Sequence, residues 1–256
     1  MGRSRNLSAA LGAALCLAVG VVGCGPSTPE ECLDRASLAA AAGEWKAALK
    51  LSSRAVKLAP GNVEALVFKA TAASRCGRPD AAVEAATRAV NLDPGSFAAQ
   101  YTLGRVCMDD PARGGEAMRA LLNALKLRRN DRDTLILLCN LGDRVASPNL
   151  LTFLKLLQRD PEYAKHPALY NQLGIAYLRR NEPLNARNAF ANAWKYGRND
   201  PEIAYNTACF FDRYTKSAQT AAALYRRYLE LAAGDDEAVA TRAEALARLE
   251  ALGGKK

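Results

Sequence analysis

From about residue 29 onward, apolar residues recur at the spacing of helices, and the alternation typical of strands is absent. The chain also repeats itself, because RAVKLAPGN at 54–62 returns as RAVNLDPGS at 88–96. The same spacing of 34 residues separates three further pairs: Pro60 and Pro94, Gly43 and Gly77, and Ala48 and Ala82. A period of this length predicts units of two helices joined by a turn, which stack to bury their apolar faces.

The unit is most complete at 170–197, YNQLGIAYLRRNEPLNARNAFANAWKYG. It contains Tyr170-x2-Leu173-Gly174-x2-Tyr177 and then Ala186-x3-Phe190-x2-Ala193. This pattern resembles the signature of the tetratricopeptide repeat (TPR), except that Arg198 stands where a terminal proline is usual. Gly174 and Ala186 would let the two helices approach closely, while the larger residues fill the space between units.

The resemblance implies an all-α fold, a right-handed α-solenoid of about six TPR units with a C-terminal capping helix, over 32–252. The units are expected at 29–62, 63–96, 97–130, 131–161, 167–200 and 201–234. Because a single unit cannot bury its own apolar face, the stack is expected to be one domain.

A last helix at 236–252 is expected to cap the open end of the stack. Its expected buried face consists of Val239, Ala243, Leu246 and Leu249. Glu244 and Arg248, four residues apart, are expected on its exposed side. Residues 253–256 are expected to form a disordered tail.

The fourth unit is the most divergent. Ser147 and Pro148 are expected to be the N-cap and the first residue of its second helix. The run NLLTFLKLL at 149–157 is apolar almost all round, which favours a helix buried on both sides. The alternative is that part of this run is exposed as a docking patch.

The N-terminus has the pattern of an export signal. Arg3 and Arg5 precede a stretch from Asn6 to Gly23 without charge, which is short for a membrane-spanning helix. VVGC at 21–24 resembles the bacterial lipobox, which implies that residues 1–23 are removed and that Cys24 carries acyl chains. Plain secretion is the alternative, since Val21 and Gly23 also suit ordinary signal peptidase.

The expected location is therefore the cell envelope, with a lipid-anchored tether at 24–31. Gly25 resembles the residue that follows the cysteine in lipoproteins sorted to the outer membrane, on its periplasmic face. Loss of two arginines with the signal lowers the net charge from +9 to +7. An exported chain meets little DNA, so this charge indicates a solvated basic surface, acidic protein partners or anionic envelope polymers rather than nucleic acid.

The sequence offers little chemistry. His166 is the one histidine, in a loop, and no nucleophile motif or phosphate-binding loop is present. Five cysteines remain after Cys16 and Cys24, too irregularly spaced for a metal or redox motif, and are expected as small core residues: Cys32, Cys76, Cys107, Cys139 and Cys209. We therefore expect no enzyme, cofactor, metal or small-molecule substrate.

Binding is the remaining function. The TPR resemblance implies that the first helix of each unit lines a concave groove that binds a peptide or a helix of a partner. The expected groove residues are Val67, Thr71, Tyr101, Arg105, Met108, Asn171, Ile175, Leu178, Tyr205 and Asn206. For any one of them, a water-filled groove without a special role is the alternative. The lysines of TPR clamps that hold a C-terminal carboxylate are missing.

The basic cluster Lys126, Arg128, Arg129 and Arg132 lies at a turn between units. It is expected to be solvated, or else to contact an acidic partner or lipid headgroups.

The expected function is thus a scaffold that holds envelope proteins. In architecture the chain resembles TPR lipoproteins such as the pilotins of type IV pili and the lipoprotein of the outer-membrane insertion machine. The alternatives are an adaptor or regulator of cell-wall enzymes, an enzyme with unrecognised catalytic groups, and a cytosolic TPR protein with an uncleaved N-terminus. The sequence indicates neither the partner nor the oligomeric state.

Overall fold

The computed structural model describes residues 26–215 and 217–253. The expected signal peptide, Cys24 and residues 254–256 of the expected tail lie outside the described residues. Within the described ranges the chain forms thirteen α-helices and no strand, which confirms the all-α solenoid. The helices are α1 (Pro29–Ala41), α2 (Trp45–Leu58), α3 (Val63–Arg75), α4 (Pro79–Leu92), α5 (Phe97–Cys107), α6 (Gly114–Leu127), α7 (Arg132–Arg144), α8 (Leu150–Leu157), α9 (Pro167–Arg179), α10 (Pro183–Tyr196), α11 (Pro201–Tyr214), α12 (Ala218–Leu231) and α13 (Val239–Gly253).

The first twelve helices pack as six consecutive pairs, and each pair packs on the next. We call the members of a pair the first and second helix of a repeat. Five of the first helices begin after a polar capping residue. Its side-chain oxygen accepts the backbone N–H of the residue three positions later, which is one of the donors that the first turn of a helix leaves free. These capping residues are Thr28, Asn62, Ser96, Asp131 and Asp200. Since α1 begins at Pro29, the last three residues of the expected tether are helical.

In four of the repeats the turn between the two helices contains a residue in the left-handed region. Gly43 and Gly77 fill this place in the first two repeats, with φ of 78° and 67°. Ala146, with φ of 48°, fills it in the fourth repeat, and Asn181, with φ of 57°, in the fifth. Alanine tolerates this conformation less well than glycine, because its Cβ approaches the following carbonyl oxygen.

The start of α8 differs from the sequence prediction. Ser147 and Pro148 belong to the turn, and the N-cap is Asn149. The Ser147 hydroxyl accepts the Asn149 N–H at 3.3 Å, so it stabilises this turn and is not available to cap a helix. The second helix of the fourth repeat is consequently eight residues long, whereas the other five second helices have fourteen.

The apolar run of α8 lies in the core. Its buried side chains are Leu150, Leu151, Phe153, Leu154 and Leu157, while Thr152 and Lys155 are exposed. The interpretation of this run as a helix of the core is therefore confirmed, and the docking-patch alternative is wrong for these five residues.

The C-terminal helix docks through a face that overlaps the predicted one only at Leu249, and Ala243 is exposed. Val239 is 55% exposed and Leu246 is 53% exposed, whereas Ala245 is fully buried and Leu249 packs beside it. The reason is polar: Arg248 donates to both carboxylate oxygens of Asp212, at 2.7 and 2.8 Å. The side chain of Asp212 is 3% exposed, so this ion pair turns Arg248 towards α11 instead of towards solvent.

Glu244 also contacts α11, through Arg213 at 3.4 Å. Arg248, expected on the exposed side, therefore contacts the sixth repeat, whereas Glu244 is exposed as expected and pairs with Arg213 at the surface.

Similar arginine contacts join earlier repeats. Arg144, at the end of α7, donates to the carbonyl of Met108 in the preceding repeat at 2.9 Å. Arg179, at the end of α9, reaches Asp143 at 2.8 Å. A cation at a helix C-terminus also interacts favourably with the helix dipole. Arginine at these positions is therefore stabilised both by the contact between repeats and by the dipole.

Candidate binding groove

Neighbouring first helices lie side by side and form the surface on which the TPR resemblance places the binding groove. α3 lies against α5, and α9 lies against α11. Of the expected groove residues, Val67, Thr71, Ile175 and Leu178 are half-buried, so each presents part of its surface. Val67, Ile175 and Leu178 supply apolar surface, and Thr71 adds a hydroxyl.

Tyr101 and Arg105 lie one turn apart on α5. The Tyr101 ring stacks on Phe97 with centroids 5.7 Å apart. Burial raises the pKa of the Tyr101 phenol, with a smaller effect from Asp133, so this hydroxyl stays neutral and can donate a hydrogen bond. In the described part of the chain, Arg105 has no carboxylate within 4.0 Å. The pair therefore offers an aromatic ring and an uncompensated cation.

Asn171 and Asn206 form a polar cluster between the fifth and sixth repeats. The Asn171 amide donates to Glu202 at 3.0 Å, and the Asn206 amide donates to the Asn171 carbonyl oxygen at 3.2 Å. Asn171 is 3% exposed, so its amide is used in joining the two repeats and is not offered to a partner. Asn206 is half-buried and Glu202 is exposed, and these two present the polar edge of the cluster.

Two other expected groove residues pack against neighbouring helices. Met108 is buried, and its carbonyl accepts from Arg144. Tyr205 packs on Tyr228 with ring centroids 5.1 Å apart, and burial together with the nearby Glu244 of α13 raises the pKa of its phenol. Tyr205 is half-buried, so part of its surface stays accessible beside the capping helix.

A cavity of about 170 Å³ opens between α7 and α9. Ile136 and Leu169 form its apolar part, and Asn140 and Gln172 lie on its rim. Neither rim amide has a hydrogen-bond partner among the described residues. Asn140 is exposed and Gln172 is half-buried, so both amides are accessible and can form hydrogen bonds with the backbone of a bound segment.

The loop between α8 and α9 completes the cavity. The rings of Tyr163 and His166 stack with centroids 5.0 Å apart, and both residues line the opening. From the sequence, His166 is expected in a loop without a binding role, and no role is predicted for Tyr163, Asn140 or Gln172. The fourth repeat departs from the TPR pattern, so no template assigned its groove positions. The aromatic and histidine in a short loop were the available signal.

The basic cluster at 126–132 is partly neutralised. Arg132 pairs with Asp160 at 2.7 Å and with Glu162 at 2.5 Å, and the Arg132 hydrogen bond lowers the pKa of Asp160. Arg128 lies over the Phe97 ring at 4.1 Å. These two residues therefore have structural partners.

The described residues contain no group of three or more histidine, cysteine or acidic side chains placed to hold a metal ion. None of the helices in the same residues combines the length and the apolar character needed to cross a bilayer.

Comparison with known proteins agrees with the geometry of the stack. The profile of the tetratricopeptide repeat family matches residues 39–106, which covers most of the first three repeats. No protein of curated function matches the chain in sequence. Among solved structures, MamA is 22% identical with a TM-score of 0.58, and the match covers 66% of this chain and 92% of MamA.

Two further structures cover more of the chain. YrrB, described as a TPR protein with an unusual peptide-binding site, has a TM-score of 0.64 at 16% identity, over 75% of this chain and 97% of YrrB. PilW, described as a widely conserved type IV pilus biogenesis factor, has a TM-score of 0.63 at 15% identity, over 83% of this chain and 97% of PilW. The fold is a TPR solenoid. At these identities the likeness concerns the fold alone.

Proposed function

We propose that the chain is a non-enzymatic scaffold that binds a peptide or helical segment of a partner protein along its first helices. The observation that supports this most directly is the cavity between α7 and α9, where Asn140 and Gln172 are unpaired beside an apolar base. An extended or helical segment needs apolar contact together with a few polar groups for its backbone and side chains.

The neighbouring helices add selectivity to this groove. Arg105 supplies an uncompensated cation, and Glu202 with Asn206 supplies a polar edge with a negative charge. A partner segment with an acidic side chain towards α5 and a hydrogen-bond donor or cation towards α11 would match both ends. YrrB has a peptide-binding site on a similar fold, which makes the same use of this fold reasonable here.

We place this scaffold in the cell envelope, held by acyl chains on Cys24. The support is the apolar segment after Arg3 and Arg5 and the lipobox-like VVGC. PilW, a pilus biogenesis factor of similar fold, makes the assembly of an envelope complex a reasonable task. A Cys24→Ser change is expected to release the protein from membranes, or to leave it uncleaved, with an unchanged thermal melt. Normal processing with membrane attachment retained would contradict the anchor.

Crosslinking in cells tests the groove. A photoreactive residue at Gln172 or Tyr101 is expected to capture the same small set of envelope proteins, because both lie on first helices. Asn188, exposed on the second helix α10, is the matched control and should not capture them. Identical products from Asn188, or no reproducible product from the groove positions, would contradict the proposal, as would reproducible turnover by the purified protein in a hydrolase screen.

A further inference from the structure

The second helix of the first repeat carries an unusual row of charge. α2 has the sequence WKAALKLSSRAVKL, with four cations and no carboxylate. Lys46, Lys50, Arg54 and Lys57 are all exposed. In the described part of the chain, none of these four has a carboxylate within 4.0 Å. We call this row the α2 stripe.

The α2 stripe lies opposite the buried face of its helix. At 3.6 residues per turn its four cations fall within an arc of about 80°, directly across from Ala48, Ser52 and Ala55. The row is about 16 Å long, because each helical residue rises by about 1.5 Å. Like charges four residues apart destabilise a helix, so the helix would be more stable with acids in this row. None of the other second helices has more than two cations, and α4, α6 and α12 also contain acids.

A cavity extends the charge to the next repeat. It has a volume of about 310 Å³ between α2 and the turn before α4, and it is lined by Lys46, Lys50 and Arg78 together with Leu49, Ser53 and Cys76. Three cations with no carboxylate in one opening match the chemistry of a phosphate group.

We propose that the α2 stripe binds the phosphate headgroups of an anionic phospholipid surface. A straight cationic row without large apolar side chains between its members fits a flat, polar and negative surface. A peptide would require an apolar anchor, and the α2 stripe has none. The position in the chain agrees, because α2 pairs with α1, and α1 begins five residues after Cys24.

In a hairpin of two helices, the end of α2 lies beside the start of α1. Lys57 is therefore on the side of the proposed anchor, and the rest of the α2 stripe runs away from it. Contact along this row would lay the first repeat against the membrane and leave the groove of the later repeats accessible to partners. This inference rests on the proposed envelope location, but it does not require that Cys24 be acylated.

Co-sedimentation with vesicles tests the proposal, using the chain from residue 26 to 256, which contains the complete stack and its core. Vesicles of phosphatidylcholine alone are compared with vesicles that also contain phosphatidylglycerol, at low and high sodium chloride. Binding is expected to require phosphatidylglycerol and to weaken with salt. Lys50→Glu combined with Arg54→Glu should reduce it about tenfold or more. Both replacements can pair with the remaining lysines, so the fold should be retained.

The matched control reverses two charges elsewhere. Arg187→Glu with Lys195→Glu makes the same change in net charge on α10, a second helix that also lacks acids but has only two cations. If vesicle binding depends on contact with the α2 stripe and not on the overall net charge, this control should change binding less than about twofold.

Several results would overturn the proposal. They are binding to phosphatidylcholine alone, no binding to phosphatidylglycerol, or an equal loss in the α10 control. Inorganic phosphate that displaces the protein better than sodium chloride of equal ionic strength would indicate a site for free phosphate. Stronger binding to soluble polyglutamate than to vesicles would indicate an acidic protein partner. Failure here would leave crosslinking from Gln172 unaffected, so the two proposals fail separately.

Discussion

Gly174, on the first helix of the fifth repeat, packs directly against Phe190 on the second helix. A Cβ atom there would lie 2.7 Å from two carbons of the Phe190 ring and 2.8 Å from a third. Phe190 is 1% exposed and packs on Phe210 with ring centroids 5.3 Å apart, so the ring has no space to retreat. The small residue is therefore required by packing at this position.

We expect Gly174→Ala to lower the free energy of unfolding by about 1–2 kcal/mol, because overpacking outweighs the higher helix propensity of alanine. Urea denaturation measures the change. Gly115→Ala, on α6 with nothing within 4 Å of the added atom, is the matched control and should be neutral or stabilising. Phe190→Leu should partly rescue Gly174→Ala in a double-mutant cycle, and strict additivity would contradict the clash.

The five cysteines in the described residues are all free, and their burial differs. Burial raises the pKa of Cys139 to about 12, and burial with a smaller effect of Glu116 raises the pKa of Cys107 to about 11. Cys76 is half-buried and lines the cavity beside the α2 stripe. The thiolate is the reactive form, so the half-buried Cys76 should react faster than the buried Cys107 and Cys139.

We expect Ellman's reagent at pH 8 to modify Cys76 rapidly in residues 26–256, and Cys107 and Cys139 only at the rate of unfolding. Cys209 is also half-buried, so Cys76→Ser combined with Cys209→Ser should remove the fast phase without affecting the slow one. All five thiols should react at once in denaturant. A fast phase that persists in the double variant would show that the buried cysteines are more accessible than their packing indicates.

At the scale of helices, the capping helix shows how a polar contact chooses between two apolar faces. Val239, Ala243 and Leu246 form one candidate face of α13, Ala245 lies on the second, and Leu249 lies between them. Apolar content alone does not separate them. The bidentate pair between Arg248 and Asp212 requires the second, since its carboxylate is nearly buried and a buried charge needs a partner.

We expect Arg248→Met to lower the free energy of unfolding by about 1–3 kcal/mol at pH 7, because it leaves Asp212 buried without its donor. The Arg248 hydrogen bonds lower the pKa of Asp212 below its usual value of about 3.9. The folded state therefore binds the proton less tightly than the unfolded state does. The contribution of the pair is complete above that usual value and is lost as the pH falls through the lowered pKa.

Thermal melts between pH 7 and pH 2 measure this effect. The difference between wild type and Arg248→Met should shrink below about pH 4. Arg213→Met, which removes the more exposed pair with Glu244, is the control and should cost at most about 1 kcal/mol. A difference that stays constant into acid would contradict the proposed role of Asp212.

These helices also show which parts of the fold the sequence could predict. The paired helices and their period were predictable because Gly174, Ala186 and their equivalents fix close contacts at constant spacing. The start of α8 was not, since the Ser147 hydroxyl can serve a turn as well as a helix. Groove positions could be assigned from the repeat, but their exposure could not. The Asn171 amide is used in a hydrogen bond to Glu202 of the sixth repeat. The cavity at Asn140 depends on the loop between α8 and α9, which takes the place of the second half of α8.

At the scale of the whole molecule, the core is divided. One cluster of buried residues runs from Cys32 in α1 to Ile203 in α11. A separate cluster joins α11, α12 and α13, from Ala204 to Ala245. Since each repeat is stabilised mainly by its neighbours, the smaller cluster at the end of the stack should open before the larger one.

Hydrogen exchange followed by mass spectrometry tests this order. Amides of α12 and α13 should exchange at least about tenfold faster than those of α3 and α4, which lie inside the large cluster. Arg248→Met should accelerate exchange in α13 and leave α3 unchanged. Uniform exchange along the stack would instead show that all repeats open together.

The arginine contacts between repeats have a consequence for how the chain is made. In the described part of the chain, no side-chain hydrogen bond joins residues more than 36 positions apart. Each repeat can therefore complete its contacts once the next one has been synthesised, and nothing near the N-terminus waits for the C-terminus. Chains with such local contacts fold quickly and can do so from the N-terminal end onward. A protein that emerges from a secretion channel in the same direction would expose about one unfinished repeat at a time.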